Sequence, residues 1–137
     1  MNDDPFVGTW KLNPARCDFD PNHRPREATM TFQRTPDGAY LMRASGKDQN
    51  GTLCEERPQT IIADGATHAL HEYKGLSSVS RQPSPNRLET VVSREDGSVA
   101  GQSTMEVSAD GQSLAATNSG WDAQLREFRQ VTVWERQ

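Results

Sequence analysis

The sequence has few apolar residues and no long apolar run. Hydrophobic residues make up 33% of its 137 positions, below the ~45–50% of an average globular domain, a figure that also counts glycine. No run approaches the about 20 apolar residues that span a bilayer, so we predict no membrane-spanning segment. A disordered chain would be equally poor in apolar residues, but three tryptophans and four phenylalanines favour a folded domain. A domain whose interior is partly polar explains this composition.

Positive charge is outnumbered by negative charge, with 15 Lys and Arg against 19 Asp and Glu. The formal net charge is -4 and the pI is about 5.3, and the basic segment 24–26 is short and interrupted by Pro25. We therefore expect no nucleic-acid partner. The first four residues are acidic rather than basic and then apolar, so they lack the pattern of a secretory signal. The sequence predicts a cytoplasmic protein, although an exported protein whose signal had been removed would begin in the same way.

Cysteine is limited to Cys17 and Cys54. Two cysteines do not make a disulfide framework, and this spacing is too wide for a metal-binding knuckle. We expect two independent thiols, with a bridge between the first connection and the fourth strand as the alternative. The sequence also contains no glycine-rich phosphate loop and no Ser/His/Asp order typical of a hydrolase. We therefore predict neither a metal site nor a bound cofactor.

The sequence shows no helical periodicity. It consists instead of short segments in which apolar and polar residues alternate, separated by turn residues. The connection 13–26 holds three prolines and little periodicity, which predicts an irregular loop. From Ala28 onward we predict strands, including a long one over 52–63 with a bulge or edge at Pro58, and breaks at 83–86 and 120–122. About ten strands at roughly 8–12-residue spacing indicate an all-β fold. We predict a single antiparallel up-and-down β-barrel of about 8–10 strands over residues 1–137.

The first predicted strand reads FVGTWKL, from Phe6 to Leu12. Gly8 and Trp10 fall on one face, which suggests a buried ring where another backbone passes close. This stretch resembles the start of the calycins, the lipocalins and intracellular fatty-acid-binding proteins, and the closing residues Trp134-Glu135-Arg136 are similar too. The whole chain also resembles small bacterial lipocalin-like proteins of unassigned function. The resemblance implies a barrel that binds small molecules, with Gly8, Trp10 and Trp134 in structural roles.

The last predicted strand indicates what charge the ligand carries. If Trp134 faces inward, then Phe128, Gln130 and Thr132 do so as well. The fatty-acid-binding proteins carry Arg-x-Tyr here, which grips the ligand carboxylate; in this chain Thr132 and Trp134 stand in those positions. The sequence therefore predicts a neutral, moderately apolar ligand, because a carboxylate would find no charged partner. The resemblance also implies a helix-turn-helix lid after the first strand, which the proline-rich connection 13–26 is not expected to form.

Alternation assigns further side chains to the interior. This set mixes apolar and hydrogen-bonding groups, as small-molecule pockets do: Tyr40, Met42, Thr90, Ser103, Met105, Leu114, Ala116 and Asn118. Two interpretations remain open. The side chains line a cavity for a small molecule, or they fill a small barrel that serves as a protein-interaction module. We expect a monomer or a homodimer in either case.

A few titratable residues are candidates for catalysis. His68 and His71 lie three apart on a predicted strand and face opposite sides, so they do not make a metal pair. His71 shares a side with Tyr73, and its pKa range suits acid/base work. Glu55 belongs to a charge cluster in the fourth predicted strand, where an inward carboxylate could act as a base. These residues define the enzyme alternative, a cofactor-free lyase or isomerase that uses His71, Tyr73 or Glu55 in the same cavity.

Overall fold

Antiparallel strands dominate the computed structural model of this chain, which describes residues 4–18, 25–48, 50–55, 58–69, 75–121 and 127–137. Eleven strands are present in this part of the chain. They are β1 Gly8–Leu12, β2 Pro25–Arg34, β3 Tyr40–Asp48, β4 Leu53–Glu55, β5 Gln59–Ile61, β6 Thr67–Ala69, β7 Leu76–Ser84, β8 Arg87–Arg94, β9 Val99–Val107, β10 Ser113–Trp121 and β11 Glu127–Arg136.

All eleven strands belong to one sheet. Its order is β4-β3-β2-β1-β11-β10-β9-β8-β7-β6, and β5 pairs with β3 beside β4. Neighbours along most of this path are consecutive in the chain, which is the signature of a meander; the exception is β1, which pairs with β11. The hairpin turns use the predicted chemistry. At Asp96-Gly97, for example, the Asp96 carboxylate accepts from the Ser98 N–H at 2.9 Å, and Gly97 takes a φ of +87° that favours glycine.

The sheet curls until distant strands meet. The amide of Gln82 on β7 donates to the hydroxyl of Tyr40 on β3 at 3.0 Å, although seven steps of the strand order separate β3 from β7. Ile61 on β5 likewise joins the core cluster of Leu88 and Val107 on β8 and β9. Among the described residues no ladder joins β4 or β5 to β6. The predicted all-β, up-and-down barrel is confirmed, with one strand more than the range given.

Two prolines act differently from the prediction. The expected long strand 52–63 is two short strands, β4 and β5, with Pro58 between them, because proline supplies no N–H to the ladder. The break expected at 83–86 begins later, since β7 runs through Pro83 as far as Ser84. It does so across a register shift between Arg81 and Ser84, which accommodates the missing N–H.

The connection after β1 contains no lid helix in its described part, residues 13–18. It forms a single 3-10 turn, Pro14–Arg16, and the Asn13 side chain caps this turn by accepting a hydrogen bond from the Ala15 N–H at 3.2 Å. Asp18 then pairs with Val131 on β11. Cys17 is a free thiol and accepts from the Val133 N–H at 3.1 Å. No helix in the described chain is long and apolar enough to cross a membrane.

Candidate functional site

One end of the barrel is closed by a cluster of aromatic side chains, which we call the floor: Phe6, Trp10, Phe32, Tyr40 and Trp134. The Phe6 ring lies 5.7 Å from both Phe32 and Tyr40, and Phe32 lies 6.0 Å from Tyr40 at an interplanar angle of 90°. Tilted and edge-on contacts at these distances are the favoured geometry for aromatic rings. All five residues are buried. The floor is therefore a packed core and leaves no space for a ligand between its rings.

The Arg136 side chain packs against Trp10 and holds it in place. Its ring is fully buried, and its indole N–H donates to the Phe6 carbonyl at 3.0 Å. The Arg136 guanidinium lies 4.3 Å from the ring centroid and donates to the carbonyls of Pro5, Val7 and Gly111. Gly8 leaves room for this guanidinium, because a Cβ there would stand 2.6 Å from Arg136 Nη1. The close approach that the sequence suggested beside Trp10 is thus made by a side chain rather than by a backbone.

Tyr40 is also held in the floor by polar contacts. Its hydroxyl donates to the Asp4 carboxylate at 2.6 Å and accepts from the Gln82 amide, and the Arg34 guanidinium lies 4.0 Å from its ring centroid. Arg34 also donates to Asp4 at 2.7 Å. Burial, followed by the hydrogen bond to Asp4, raises the pKa of Tyr40 to about 12. The Tyr40 hydroxyl already has two partners within the protein, so it belongs to the floor.

The Thr132 hydroxyl, like that of Tyr40, already has hydrogen-bond partners within the protein. Its hydroxyl accepts from the indole N–H of Trp134 at 2.9 Å and lies 3.5 Å from the carbonyl of Ala116, to which it donates. The residue is 6% exposed. Thr132 therefore holds Trp134 in place, and the position that the resemblance assigns to an arginine is neutral and already bonded.

Above the floor, one polar side chain from each of five consecutive strands stands at the same level. We call these the polar row: Ser80, Thr90, Ser103, Asn118 and Gln130. Directly opposite residues in an antiparallel ladder share a face, and the register links each member to the next. Ala116 and Thr132, two residues from Asn118 and Gln130, are buried, so the row faces the interior. None of its members carries a charge.

Hydrogen bonding divides the polar row into two parts. Ser80 and Thr90 are paired through their hydroxyls at 2.9 Å. The hydroxyl oxygen of Ser103 and the amide oxygen Oε1 of Gln130 are buried and have no hydrogen-bond partner. Buried polar atoms nearly always have a partner, and an exception asks for an explanation such as an absent ligand or water. Two such atoms in one row identify this level of the interior as the candidate binding site.

The residues on the two sides of the polar row differ in the size of their side chains. Toward the floor lies an apolar level formed by Leu88, Met105 and Ala116. On the other side, Gly101 of β9 pairs directly with Gly120 of β10, and Val92 of β8 pairs with Gly101. These two facing glycines place no side chain beside the polar row, and we call them the glycine pair; Gly120 is buried and Gly101 is partly buried. A local cause exists at Gly101, where a Cβ would stand 3.1 Å from the Ser119 carbonyl oxygen.

The residues predicted to bind ligand fall into three groups. Thr90, Ser103, Asn118 and Gln130 form the polar row. The second group belongs to the core. Met42 and Met105 are partly buried and pack against the core, and Tyr40 and Thr132 lie within it with their hydroxyls already hydrogen-bonded. Phe128 occupies β11 opposite Gly120 in register, and its side chain lies outside the described atoms.

The catalytic candidates are not brought together in the described structure. His71 and Tyr73 lie outside the described residues. Glu55 pairs in backbone register with Ser45, an exposed position, and its side chain is likewise not described. No group of three or more His, Cys, Asp or Glu side chains suited to a metal ion occurs within the described ranges.

His68 reaches the interior face although the sequence gave it no role. It pairs with Ser78, which lies two residues before the buried Ser80. Its Nε2 lies 3.0 and 3.1 Å from the two carboxylate oxygens of Asp64. The pKa of Asp64 is lowered, first by the N–H of Ala66 and then by His68. His68 lies on the edge strand β6 and Asp64 in the turn before it. Both side chains are partly exposed, so solvent screens the pair.

Sequence reasoning also missed Ser80 and the glycine pair. Ser80 continues the row onto β7, and the alternation of 76, 78, 80 and 82 could have placed it there. Gly120 was assigned to a break before Asp122, yet β10 includes both Gly120 and Trp121. The signal available was a glycine inside an otherwise alternating segment, which often marks a close approach of another group.

A surface pocket of about 470 Å³ lies at the closed end, outside the floor. It is lined by Asp4, Pro5, Arg34 and the segment 82–85. Asp4 and Arg34 bond to each other, and the Gln82 amide bonds to Tyr40 and to the Pro85 carbonyl. The pocket shares no residue with the polar row.

Three solved structures show the same architecture. The fluorescent protein UnaG is 15% identical, with a TM-score of 0.66 over 96% of this chain and 97% of that one. The zebrafish ileal bile acid-binding protein complexed with cholic acid is 14% identical, with a TM-score of 0.58 over 97% and 99%. As-p18, an extracellular fatty acid binding protein, is 15% identical, with a TM-score of 0.56 over 98% and 97%. At these identities the likeness shows the fold alone, and the chain has the calycin β-barrel fold of the fatty-acid-binding proteins. No protein-family model matches the sequence, and no curated protein matches it.

Proposed function

We propose that this protein binds a neutral, moderately apolar small molecule inside the barrel, at the level of the polar row. The observation that carries the proposal is the polar row, in which the Ser103 hydroxyl and Gln130 Oε1 are buried without a partner. A ligand that bonds to these atoms relieves the cost of burying them, which is about 1–3 kcal/mol for each group. The bile acid-binding and fatty acid-binding proteins of the same fold bind small molecules, as their names state.

The charge of the ligand follows from the residues around the row. On β8 to β11 the row and the apolar level below it contain only uncharged residues. Thr132 stands where a carboxylate-binding arginine would be needed, and its hydroxyl is already bonded to Trp134. A carboxylate moved from water to this level would lose its hydration without gaining a cation, so a neutral ligand is favoured.

Fluorescence titration with the neutral naphthalene dye prodan tests the proposal. We expect binding at micromolar strength, about -8 kcal/mol, and poor competition by oleate at neutral pH. Gln130→Arg, which places a guanidinium in the row, should improve oleate competition. Gln102→Arg is the matched control, because Gln102 is exposed on the outer face of β9 and should leave oleate competition unchanged.

Two results would overturn the proposal. Absence of dye binding by folded protein would show that the interior holds no cavity, and the interaction-barrel interpretation would then replace it. Oleate binding by the unmodified protein as tight as that of the dye would contradict the preference for neutral ligands.

A further inference from the structure

Two members of the polar row differ from the others in their hydrogen bonding. Within the described ranges, the Ser103 hydroxyl oxygen and Gln130 Oε1 are the buried side-chain polar atoms that lack a partner. Ser80 and Thr90, at the other end of the row, bond to each other at 2.9 Å. The unused hydrogen-bonding capacity therefore lies on β9 and β11, on either side of Asn118 in the register. We expect the polar group of the ligand at this end of the row.

The Gln130 atom limits which group the ligand can offer. An amide oxygen only accepts hydrogen bonds, so its partner must be a donor. Ketones, ethers and esters have no donor and would leave this oxygen unpaired, at a cost of about 1–3 kcal/mol. An ammonium group does donate, but it would have to leave water for a level of the barrel whose residues on β8 to β11 are uncharged. The suitable donors are therefore neutral O–H and N–H groups.

The Ser103 hydroxyl narrows the choice further. It can donate as well as accept a hydrogen bond. A hydroxyl on the ligand serves both residues, because its hydrogen can be donated to Gln130 while its oxygen accepts from Ser103. The glutamine side chain is long, so a single ligand group can meet both residues. An N–H group has no acceptor on the same atom and would serve Gln130 alone.

We propose that the ligand is a neutral alcohol or phenol whose hydroxyl donates a hydrogen bond to Gln130 Oε1 and accepts one from the Ser103 hydroxyl. This inference rests on the proposed function, because it needs the same interior site. It adds the role of the ligand's polar group, which must be a donor and not an acceptor alone.

Three naphthalenes that differ in one substituent at the same carbon test the need for a donor: naphthol, methoxynaphthalene and methylnaphthalene. Naphthol donates and accepts, methoxynaphthalene only accepts, and methylnaphthalene does neither while matching naphthol in size. Displacement of prodan and calorimetry at neutral pH measure the affinity of each compound. Naphthol should bind at least about fivefold more tightly than either of the others, since a hydrogen bond contributes about 1 kcal/mol.

Gln130→Met assigns the donor contact to its proposed partner. The variant removes the acceptor and keeps an unbranched side chain of similar length. Naphthol should then lose its advantage over the other two compounds, because its hydroxyl would be buried without a partner. Gln102→Met is the matched control, since Gln102 is exposed on the outer face of β9, and it should leave the preference for naphthol unchanged. Circular dichroism shows whether both variants fold.

Ser103→Ala tests the second hydrogen bond separately. It should weaken naphthol about fivefold relative to methylnaphthalene, because the hydroxyl oxygen of naphthol loses its donor. Naphthol should still bind more tightly than methoxynaphthalene, since its own donor bond to Gln130 remains. The variant removes a hydroxyl that has no partner in the fold, so it tests the inference even if Gln130→Met fails to fold.

The contrary outcomes distinguish this inference from the proposed function. If prodan binds but naphthol binds no more tightly than methoxynaphthalene, the ligand needs no donor, and the inference fails while the proposed function stands. Retention of the naphthol preference in Gln130→Met, or of the full naphthol affinity in Ser103→Ala, would likewise overturn the assigned contacts. If neither prodan nor any of the three naphthalenes binds to the folded protein, the proposed function fails as well.

Discussion

The floor and the polar row differ in how their polar atoms are satisfied. In the floor, Trp10, Trp134 and Tyr40 each use their N–H or O–H group in a hydrogen bond to another part of the chain. In the row, the Ser103 hydroxyl and Gln130 Oε1 have no partner. The same sheet thus carries a region in which every polar group is hydrogen-bonded and, beyond the apolar level, a region in which two polar atoms have no partner. We infer that the first stabilises the fold and the second is available for binding.

The largest expected effect lies in the floor. Trp10→Ala removes a fully buried ring together with its bond to Phe6, and we expect a loss of about 3–5 kcal/mol in the free energy of unfolding. Urea denaturation measures it. Trp121→Ala is the matched control, because Trp121 is 41% exposed and its replacement should change stability by less than about 0.5 kcal/mol. A loss below about 1 kcal/mol for Trp10→Ala would contradict the assignment of this residue to the core.

A smaller effect in the floor depends on pH. The pKa of Tyr40 is raised to about 12 from an unfolded value of about 10, so the folded state favours the neutral phenol. This contribution to stability is fully present below pH of about 10 and is lost as the pH rises through about 12. Tyr40→Phe should abolish that dependence. The difference in phenolate absorbance between the two proteins reports Tyr40, and a midpoint near 10 would show that its hydroxyl is neither buried nor bonded to Asp4.

The smallest effects lie within the polar row and compare its two parts. Ser80→Ala breaks the bond to Thr90 and should cost about 1 kcal/mol. Ser103→Ala removes a hydroxyl that has no partner, so stability should stay within about 0.5 kcal/mol or rise. Thermal unfolding of the two variants side by side measures the difference. Equal losses would mean that the Ser103 hydroxyl is bonded in the folded protein and that the row is complete.

The fold could be predicted because its signals are local. The alternation of FVGTWKL and the Asp-Gly turns require only neighbouring residues, and a period of two assigns Ser103, Asn118 and Gln130 to one face wherever the strands pair. The roles of Tyr40 and Thr132 could not be predicted in this way. The Tyr40 hydroxyl is hydrogen-bonded to Asp4 and Gln82, which lie 36 and 42 residues away in the sequence.

The misplaced strand boundaries have a similar cause. Pro58 and Pro83 are equivalent as local signals, yet one separates two strands and the other lies within a strand. The difference is set by the partner strand, since the register shift of β7 against β8 removes the need for an N–H. Gly120 was assigned to a turn for the same reason, because its strand partner Gly101 lies on another part of the chain.

Arg136 also bears on the order in which the molecule folds. It joins groups that are 131 residues apart, since its Nη2 donates to the Pro5 carbonyl at 2.5 Å. The ladders from β6 to β11 connect consecutive strands and can form as local hairpins. Pairing β1 with β11 instead closes a loop of nearly the whole described chain, and both the entropy cost and the folding time increase with such separation. We therefore expect the pairing of β1 with β11 to form last, after the wall that carries the polar row.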